Sequence, residues 1–386
     1  MRIAQLANFV GPRSGGMKTA LEALGAGYAA AGCERLLVIP GEVDRRYDGP
    51  HGPVVEVRAP RVGGGYRLIL EPWRVVDVLE EWAPTSIECS DKLTLLPVAR
   101  WARRAGVGSV LFSHERLDDQ FALRTGMEPG AGLGKVSIGL LNRILVRAFD
   151  TVVVTSHYAQ REFAGLAAAA GTPMARVPLG VDLDHFRPVP RNGPQIRSGS
   201  GSQQVLRLIH VGRLSPEKSP QLAVATAVAL HDAGVALTLD VYGEGPMLTE
   251  LRTLAGAAPV RFHGHLGDRR LLARRIGEAD IALSCCPAET FGLAVLEALA
   301  CGTPVVTADV GGAQELVDAA SGAWAKPEPD ALADAVRRLT RRPTAERRAA
   351  ARARAEEFSW SATVDRMLQV HATVGSGELP GLTTTA

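Results

Sequence analysis

The sequence predicts an α/β protein of two domains, each a parallel sheet wound with helices on both faces, and three observations point there. Short apolar runs of strand length alternate with helix-length amphipathic segments along both halves of the chain. A stretch from Pro188 to Gln204, rich in proline, glycine and serine and poor in apolar residues, interrupts the alternation as a linker does. Each half begins with an apolar strand that runs straight into a glycine-containing turn, where the first strand of a doubly wound domain meets its first helix. A chain of 386 residues accommodates two such domains of ordinary size.

Composition excludes more than it selects. With 43 basic and 41 acidic residues the net charge is +2, so no charge excess points to nucleic acid. Only five of the basic residues are lysines, which makes Lys218 conspicuous. The apolar run Met1 to Phe9 is too short for a signal peptide and no 18-residue apolar segment comes after it, so a cytoplasmic location is expected. Cys33, Cys89, Cys285, Cys286 and Cys301 are scattered through apolar contexts and read as reduced core residues. No CxxC or HxxxH pair suggests a metal.

In the first half, Arg2 to Ala7 reads as a buried strand, and the loop Gly11-Pro12-Arg13-Ser14-Gly15-Gly16 opens a helix from Met17 to Ala31. Backbone amides at a helix start, unobstructed by side chains, suit a phosphate, although many such turns bind nothing. The loop does not fit GxGxxG, which sets a dinucleotide oxidoreductase aside. Strands then come at Arg35 to Pro40, Val54 to Arg58, Ser86 to Cys89 and Gly108 to Phe112, with helices at Pro72 to Trp82 and Lys92 to Ala105. The glycine loop from Gly63 ends in Tyr66 and Arg67; it is either plain surface or an acceptor-binding lip. His114 stands just after a buried strand, at the carboxyl edge where open parallel sheets bind ligands. A helix Lys135 to Phe149, a strand Thr151 to Thr155 and a helix from His157 continue the pattern. Asp182 and Asp184 could clamp a metal on a diphosphate, but an interdomain loop explains them better, and no catalytic metal is expected.

The second half restarts with a strand, Val205 to Val211, that ends in Gly212-Arg213-Leu214-Ser215-Pro216-Glu217-Lys218. Two cations there could pair with surface acids, or they could oppose a leaving nucleoside diphosphate. Strands at Leu237 to Tyr242 and Val260 to His263 run into the turns Gly243 to Pro246 and Gly264-His265-Leu266. The stretch Cys285 to Val306 carries the most information. A strand from Asp280 leads to a loop ending at Glu289, and Phe291-Gly292 opens a helix with Leu293, Leu296, Leu299 and Ala300 at core spacing. Taken singly, Glu289 caps that helix and Glu297 is a solvated charge. Taken together at a ligand edge, two carboxylates beside free helix-start amides can hold the hydroxyls of a sugar. Arginines from Arg337 to Arg354 lie among alanines at helical spacing, which reads as a solvated helical face more readily than as a membrane-binding one.

The set Glu289, Phe291, Gly292, Leu293 and Glu297, with Gly302-Thr303-Pro304-Val305-Val306 behind it, resembles the retaining nucleotide-sugar glycosyltransferases of family 4. The resemblance covers roughly residues 1 to 373 and implies the GT-B fold, two Rossmann-like domains whose parallel sheets face across a cleft. It gives a first domain at 1–187, a linker at 188–204, a second domain at 205–360 and a helix at 361–375 that packs back on the first; 376–386 reads as a disordered tail. It also implies roles. Donor binding falls to Gly15, Gly16, Arg213, Lys218, His265, Leu266, Glu289, Phe291, Gly292, Leu293 and Glu297, and the catalytic group to His114, Arg213, Lys218 and Glu289. Tyr66, Arg67, Asp91 and Arg116 fall to acceptor binding. Within the family, Ser90-Asp91-Lys92-Leu93-Thr94, Ser113 to Asp118 and Val177 to Leu183 are similar to the actinobacterial GDP-mannose-dependent phosphatidylinositol mannoside mannosyltransferases. The reaction this resemblance implies is a metal-independent hexosyl transfer with retention. GDP-mannose is the co-substrate, no cofactor is needed, and the acceptor is a lipid-linked inositol glycan or a small polyhydroxylated metabolite, with peripheral contact at the cytoplasmic membrane face in the lipid case. A GT-B epimerase and a UDP-sugar-dependent transferase are the alternatives.

Overall fold

The apolar runs pair in register as parallel strands, in two separate units. The computed structural model describes residues 1–8, 15–62, 66–114, 132–189 and 205–375. The first unit comprises described residues up to Leu179 together with the closing helix Trp360–Gly375, and the second those from Gly180 to Ser359. The expected linker from 190 onward and the tail 376–386 lie outside the described residues.

The first unit runs β1 (Arg2–Leu6), α1 (Gly16–Ala30), β2 (Glu34–Gly41), β3 (Arg45–Gly49), β4 (Gly52–Arg58), α2 (Pro72–Trp82), β5 (Ser86–Cys89), α3 (Leu96–Ala105), β6 (Gly108–Ser113), α4 (Gly132–Ala148), β7 (Thr151–Val154), α5 (His157–Ala170) and β8 (Met174–Arg176). Its sheet order is β3-β4-β2-β1-β5-β6-β7-β8, parallel except where β3 returns antiparallel on β4. Every residue of β5, β6 and β7 is buried, as a sheet covered on both faces requires. The edge strand β3, Arg-Arg-Tyr-Asp-Gly, is almost wholly exposed and carries no apolar pattern to announce it. Helix α3 begins at Leu96 rather than at Lys92, because Asp91 shapes residues 91–95 into a turn.

A buried polar cluster ties the closing helix to this sheet. Glu88 on β5 is fully buried and accepts from Tyr28 Oη at 2.7 Å and Gln5 Nε2 at 2.9 Å, while His371 Nε2 lies at 3.3 Å. Ser86 Oγ meets His371 Nδ1 at 2.9 Å, and Arg35 Nε donates to Gln5 Oε1 at 2.8 Å. Burial pushes the Glu88 carboxyl up, but the His371 contact and the tyrosine and glutamine hydrogen bonds outweigh it and hold it below the usual carboxylate range.

The second unit runs β9 (Leu206–Val211), α6 (Pro220–Asp232), β10 (Leu237–Tyr242), α7 (Leu248–Ala255), β11 (Val260–Gly264), α8 (Arg269–Glu278), β12 (Ile281–Ser284), α9 (Leu293–Ala300), β13 (Val305–Ala308), β14 (Gly322–Ala325), α10 (Pro329–Thr340) and α11 (Thr344–Glu356). All six strands are parallel, in the order β11-β10-β9-β12-β13-β14. The strand order reverses between β9 and β12, which makes that junction the topological switch point where doubly wound sheets open a crevice.

Residues 180–187 sit in this second unit, which differs from the boundary expected at 187. Phe186 is the anchor: it is buried, Arg269 stacks over its ring at 5.2 Å, and Arg352 Nη1 reaches its carbonyl at 3.0 Å. Val181 N donates to Phe358 O at 3.1 Å in the same place.

The arginine-rich stretch also departs from expectation. Pro343 breaks it into α10 and α11, and several of its guanidiniums point inward rather than to solvent. Arg348 donates to Gly277 O and Ala279 O at the end of α8 and to Cys301 O beyond α9, Arg352 to Ala300 O, and Arg354 to Glu315 O and Leu316 O. Carbonyls at helix ends lack intrahelical donors, so Arg348 and Arg352 cap two helices from outside, and Arg354 does the same for the short 3-10 turn Ala313–Leu316. Among the described residues no helix is long and apolar enough to cross a membrane.

Glu88→Ala should strand three buried polar groups at once. The expected loss is about 3–5 kcal/mol of unfolding free energy, read as a lowered urea midpoint by circular dichroism; a change below about 1 kcal/mol would show the cluster to be dispensable.

Candidate active site

In the second unit the loops after β9 and β12 leave adjacent strands at the same carboxyl edge, and the structure joins them there. Lys218 Nζ, on the β9 loop, lies 2.7 Å from Glu289 Oε2, on the β12 loop, with 32% and 18% of the two side chains exposed. Burial disfavours the Lys218 ammonium, but the Glu289 carboxylate beside it, with Cys286, more than compensates and raises its pKa above the ordinary lysine value. Burial and Glu289 push Cys286 up to about 11, so it stands as a thiol and donates from Sγ to Glu217 O at 3.2 Å. Arg213, four residues before Glu217, pairs with it at 3.4 Å and keeps 43% of its side chain exposed.

Glycines let these loops approach. A Cβ on Gly243, whose φ is +151°, would sit 1.8 Å from Gly212 O, and one on Gly245 2.2 Å from Leu214 O. The turn Gly243 to Gly245 therefore lies against the backbone that carries Arg213, with Leu214 N bonded to Glu244 O at 2.9 Å. Gly292, at φ +103°, precedes α9 and leaves its start without a side-chain cap, and Phe291 beside it is buried. Gly312 N donates to Glu289 O at 2.6 Å, which fixes the backbone of that glutamate from the β13 loop.

Glu297 does not join the Lys218–Glu289 pair. Its carboxylate, 18% exposed, lies 3.4 Å from Arg269. Burial pushes it up to about 7, with Arg269 pulling the other way. The exposed His265 offers its amide to Glu244 Oε1 at 3.4 Å, and Leu266 beside it is half-buried.

The first unit carries its own set of expected residues. Gly15 precedes α1 with no side-chain cap, and among the described residues nothing lies within 4 Å of where its Cβ would stand; residues 9–14 of that loop lie outside the described residues. His114, at the end of β6, packs its ring on Phe112 with centroids 4.3 Å apart and meets Ser90 Oγ with Nε2 at 3.1 Å. The acceptor set is largely engaged in local structure. Asp91 is buried; its Oδ1 accepts from Leu93 N and Leu95 N, and its Oδ2 from Asn8 Nδ2. Arg67 donates to Ala59 O at 2.7 Å and pairs with Glu42 at 3.3 Å, with half-buried Tyr66 beside it. Arg116 and Gly63 to Gly65 lie outside the described residues.

Asp182 is likewise committed locally, its Oδ1 accepting from Asp184 N and His185 N. Among the described residues no group of three or more His, Cys, Asp or Glu side chains could hold a metal ion. Sequence reasoning misses Glu217, Glu244 and Arg269, which contact Arg213, the His265 amide and Glu297 respectively. The i,i+4 spacing of Arg213 and Glu217 is a visible signal for the first; the other two meet their partners only through tertiary structure.

Two family models match the chain, "Glycosyl transferase 4-like domain" over residues 15–180 and "Glycosyl transferases group 1" over residues 195–358. A curated relative from Mycobacterium tuberculosis, named GDP-mannose-dependent alpha-(1-6)-phosphatidylinositol dimannoside mannosyltransferase, is 42% identical over 97% of this chain and 96% of its own. Among solved structures, sucrose-phosphate synthase from Thermosynechococcus elongatus superposes with a TM-score of 0.78 at 21% identity, covering 98% of this chain and 100% of that one. Anabaena HepE in complex with UDP-glucose does so with a TM-score of 0.73 at 20% identity, covering 97% of this chain and 100% of its own. At those identities the two structures speak for the fold, two Rossmann-like α/β units of the GT-B class. With the extended identity to the mycobacterial relative and both family models matched in order, the chain belongs to the group 1 glycosyltransferases with a family 4-like amino-terminal domain.

Proposed function

We propose that this glycosyltransferase moves mannose from GDP-mannose to a hydroxyl of a phosphatidylinositol mannoside, with retention of the anomeric configuration and without a metal, working peripherally at the cytoplasmic face of the membrane. The observation that carries the reading is the 42% identity over nearly the whole chain with a relative named for that donor and that class of acceptor. The geometry of the second unit is compatible: two cations and a carboxylate meet at the switch point, where a nucleotide sugar belongs in a doubly wound sheet.

In this reading Arg213 and Lys218 oppose the charge that builds on the departing diphosphate, the task a metal performs elsewhere. Glu289 and the amides at Phe291 to Leu293 hold the sugar, and Glu297 accepts from the ribose hydroxyls. His265 and Leu266 border the base. In the first unit, the open amides at Gly15 and Gly16 serve phosphate, His114 serves a sugar hydroxyl, and Tyr66 and Arg67 border the acceptor. The acceptor oxygen bonds to the anomeric carbon on the face from which the diphosphate leaves. The bond from that carbon to the phosphate oxygen breaks, and the acceptor proton passes to a phosphate oxygen. No protein nucleophile is required.

Arg213→Ala and Lys218→Ala, assayed in excess chelator alongside an active wild type, should each lower turnover about a hundredfold or more while leaving the circular dichroism spectrum unchanged; near-normal turnover in both would remove them from the site. In a thermal-shift panel, GDP and GDP-mannose should raise the melting temperature with concentration, whereas stabilisation by UDP and UDP-sugars alone would overturn the mannosyl donor. Burial pushes the Glu297 carboxyl up to about 7, and it accepts hydroxyl hydrogens on both oxygens most strongly when ionised. GDP-mannose affinity should therefore strengthen as pH rises through about 7, and the Glu297→Gln protein should lose that dependence; a flat wild-type profile would mean Glu297 does not touch the ribose.

A further inference from the structure

Glu217 stands one residue before Lys218 and contacts three residues around the turn. Its Oε1 lies 3.4 Å from Arg213 Nη2 and accepts from Ser215 Oγ at 2.7 Å; its backbone carbonyl receives the Cys286 thiol at 3.2 Å. Arg213 is 43% exposed, whereas the Glu217 side chain is only 9% exposed. An i,i+4 ion pair on an open surface contributes little and orders little. This one differs, because a carboxylate nine-tenths covered is retained at a desolvation cost that its hydrogen bonds must offset. It lies in a short 3-10 turn, Pro216–Lys218, followed by Ser219 at φ +46°, a left-handed conformation that a serine holds only when its surroundings impose it.

We propose that Glu217 is a positioning residue: from beneath the turn it fixes the exposed guanidinium of Arg213 in the orientation that receives the donor diphosphate. The inference rests on the reading that Arg213 meets that diphosphate. Pre-aligned charge is worth more to a reaction than mobile charge, because no reorganisation is needed when the anion arrives. The sign of the effect separates aim from plain electrostatics. Removing a carboxylate next to an anion site would, by charge alone, tighten anion binding. Weaker binding after its removal is therefore the mark of a lost orientation.

The test is calorimetric titration of the full chain with GDP and with UDP, on wild type, Glu217→Ala, Glu217→Gln, Arg213→Ala and the Glu217→Ala/Arg213→Ala double variant, with melting temperatures for each. Glu217→Ala should weaken binding of whichever nucleotide the wild type takes by about tenfold, as loss of a supporting partner commonly does. Glu217→Gln should stay within about threefold, since an amide oxygen accepts the same hydrogens. On the Arg213→Ala background the Glu217→Ala change should add less than about twofold. Equal weakening on both backgrounds, or tighter binding by Glu217→Ala, overturns the positioning role while leaving the donor site in place. Wild-type affinity in Arg213→Ala, or no binding of either nucleotide to the wild type, overturns the donor-site reading and the inference with it.

Discussion

The contact on which the second unit's site depends is the ion pair between Lys218 and Glu289. It spans the switch point, because its partners hang from β9 and β12, neighbouring strands whose connections leave in opposite directions. Chain connectivity parts the two loops at that place, and something must bring them back to a common edge. A fully buried pair would give back its Coulomb gain in desolvation, and a fully exposed one would be screened. Lys218 and Glu289 lie between those limits, partly covered yet open to an arriving anion.

Backbone geometry supports the pair from both sides. The β9 loop can lie flat on the β10 turn only because Gly243 and Gly245 have no Cβ, and the β12 loop is fixed by the amide of Gly312. Further back, the arginines of α11 cap the carbonyl ends of α8 and α9. Those two helices carry Arg269 and Glu297, so the inward arginines anchor the elements from which that pair projects. A guanidinium presents five donors in a fixed plane, which is why one side chain serves two or three carbonyls where a lysine would serve them poorly.

Legibility from the sequence divides along the same line between periodic burial and tertiary contact. Strands such as Val152 to Val154 and helices such as Pro72–Trp82 announce themselves because burial on a periodic face leaves a pattern in apolar residues. β3 and β14 leave no such pattern: the first is polar and exposed, and the second, Gly-Ala-Trp-Ala, is too short to show alternation. Lys218 and Glu289 stand out by position relative to their strands, and strand ends are where a parallel sheet concentrates its chemistry. The inward direction of Arg348, Arg352 and Arg354 cannot be read, because helical spacing places a residue on a face without saying what covers that face. The unit boundary escapes for a related reason: Phe186 looks like any apolar residue near a linker until its burial beneath Arg269 is seen.

The balance of charge at the switch point bears on how an anion enters. Arg213 and Lys218 are each matched by a carboxylate, Glu217 and Glu289, so the edge presents two dipoles rather than two bare cations. Bare cations so close would repel one another and attract any passing anion. The two carboxylates are placed differently, however. Glu217 lies beneath Arg213, away from solvent, whereas Glu289 comes from the opposite loop and is twice as exposed. In the proposed reading, a diphosphate on the open side of Lys218 competes with Glu289 for its ammonium, and the carboxylate it releases is then available to a sugar hydroxyl. Arg213 has its carboxylate partner on its own loop, where the same diphosphate leaves it in place. In that reading one cation is held and the other exchangeable, an asymmetry that suits a ligand carrying a diphosphate and a hydroxylated ring together better than a phosphate alone.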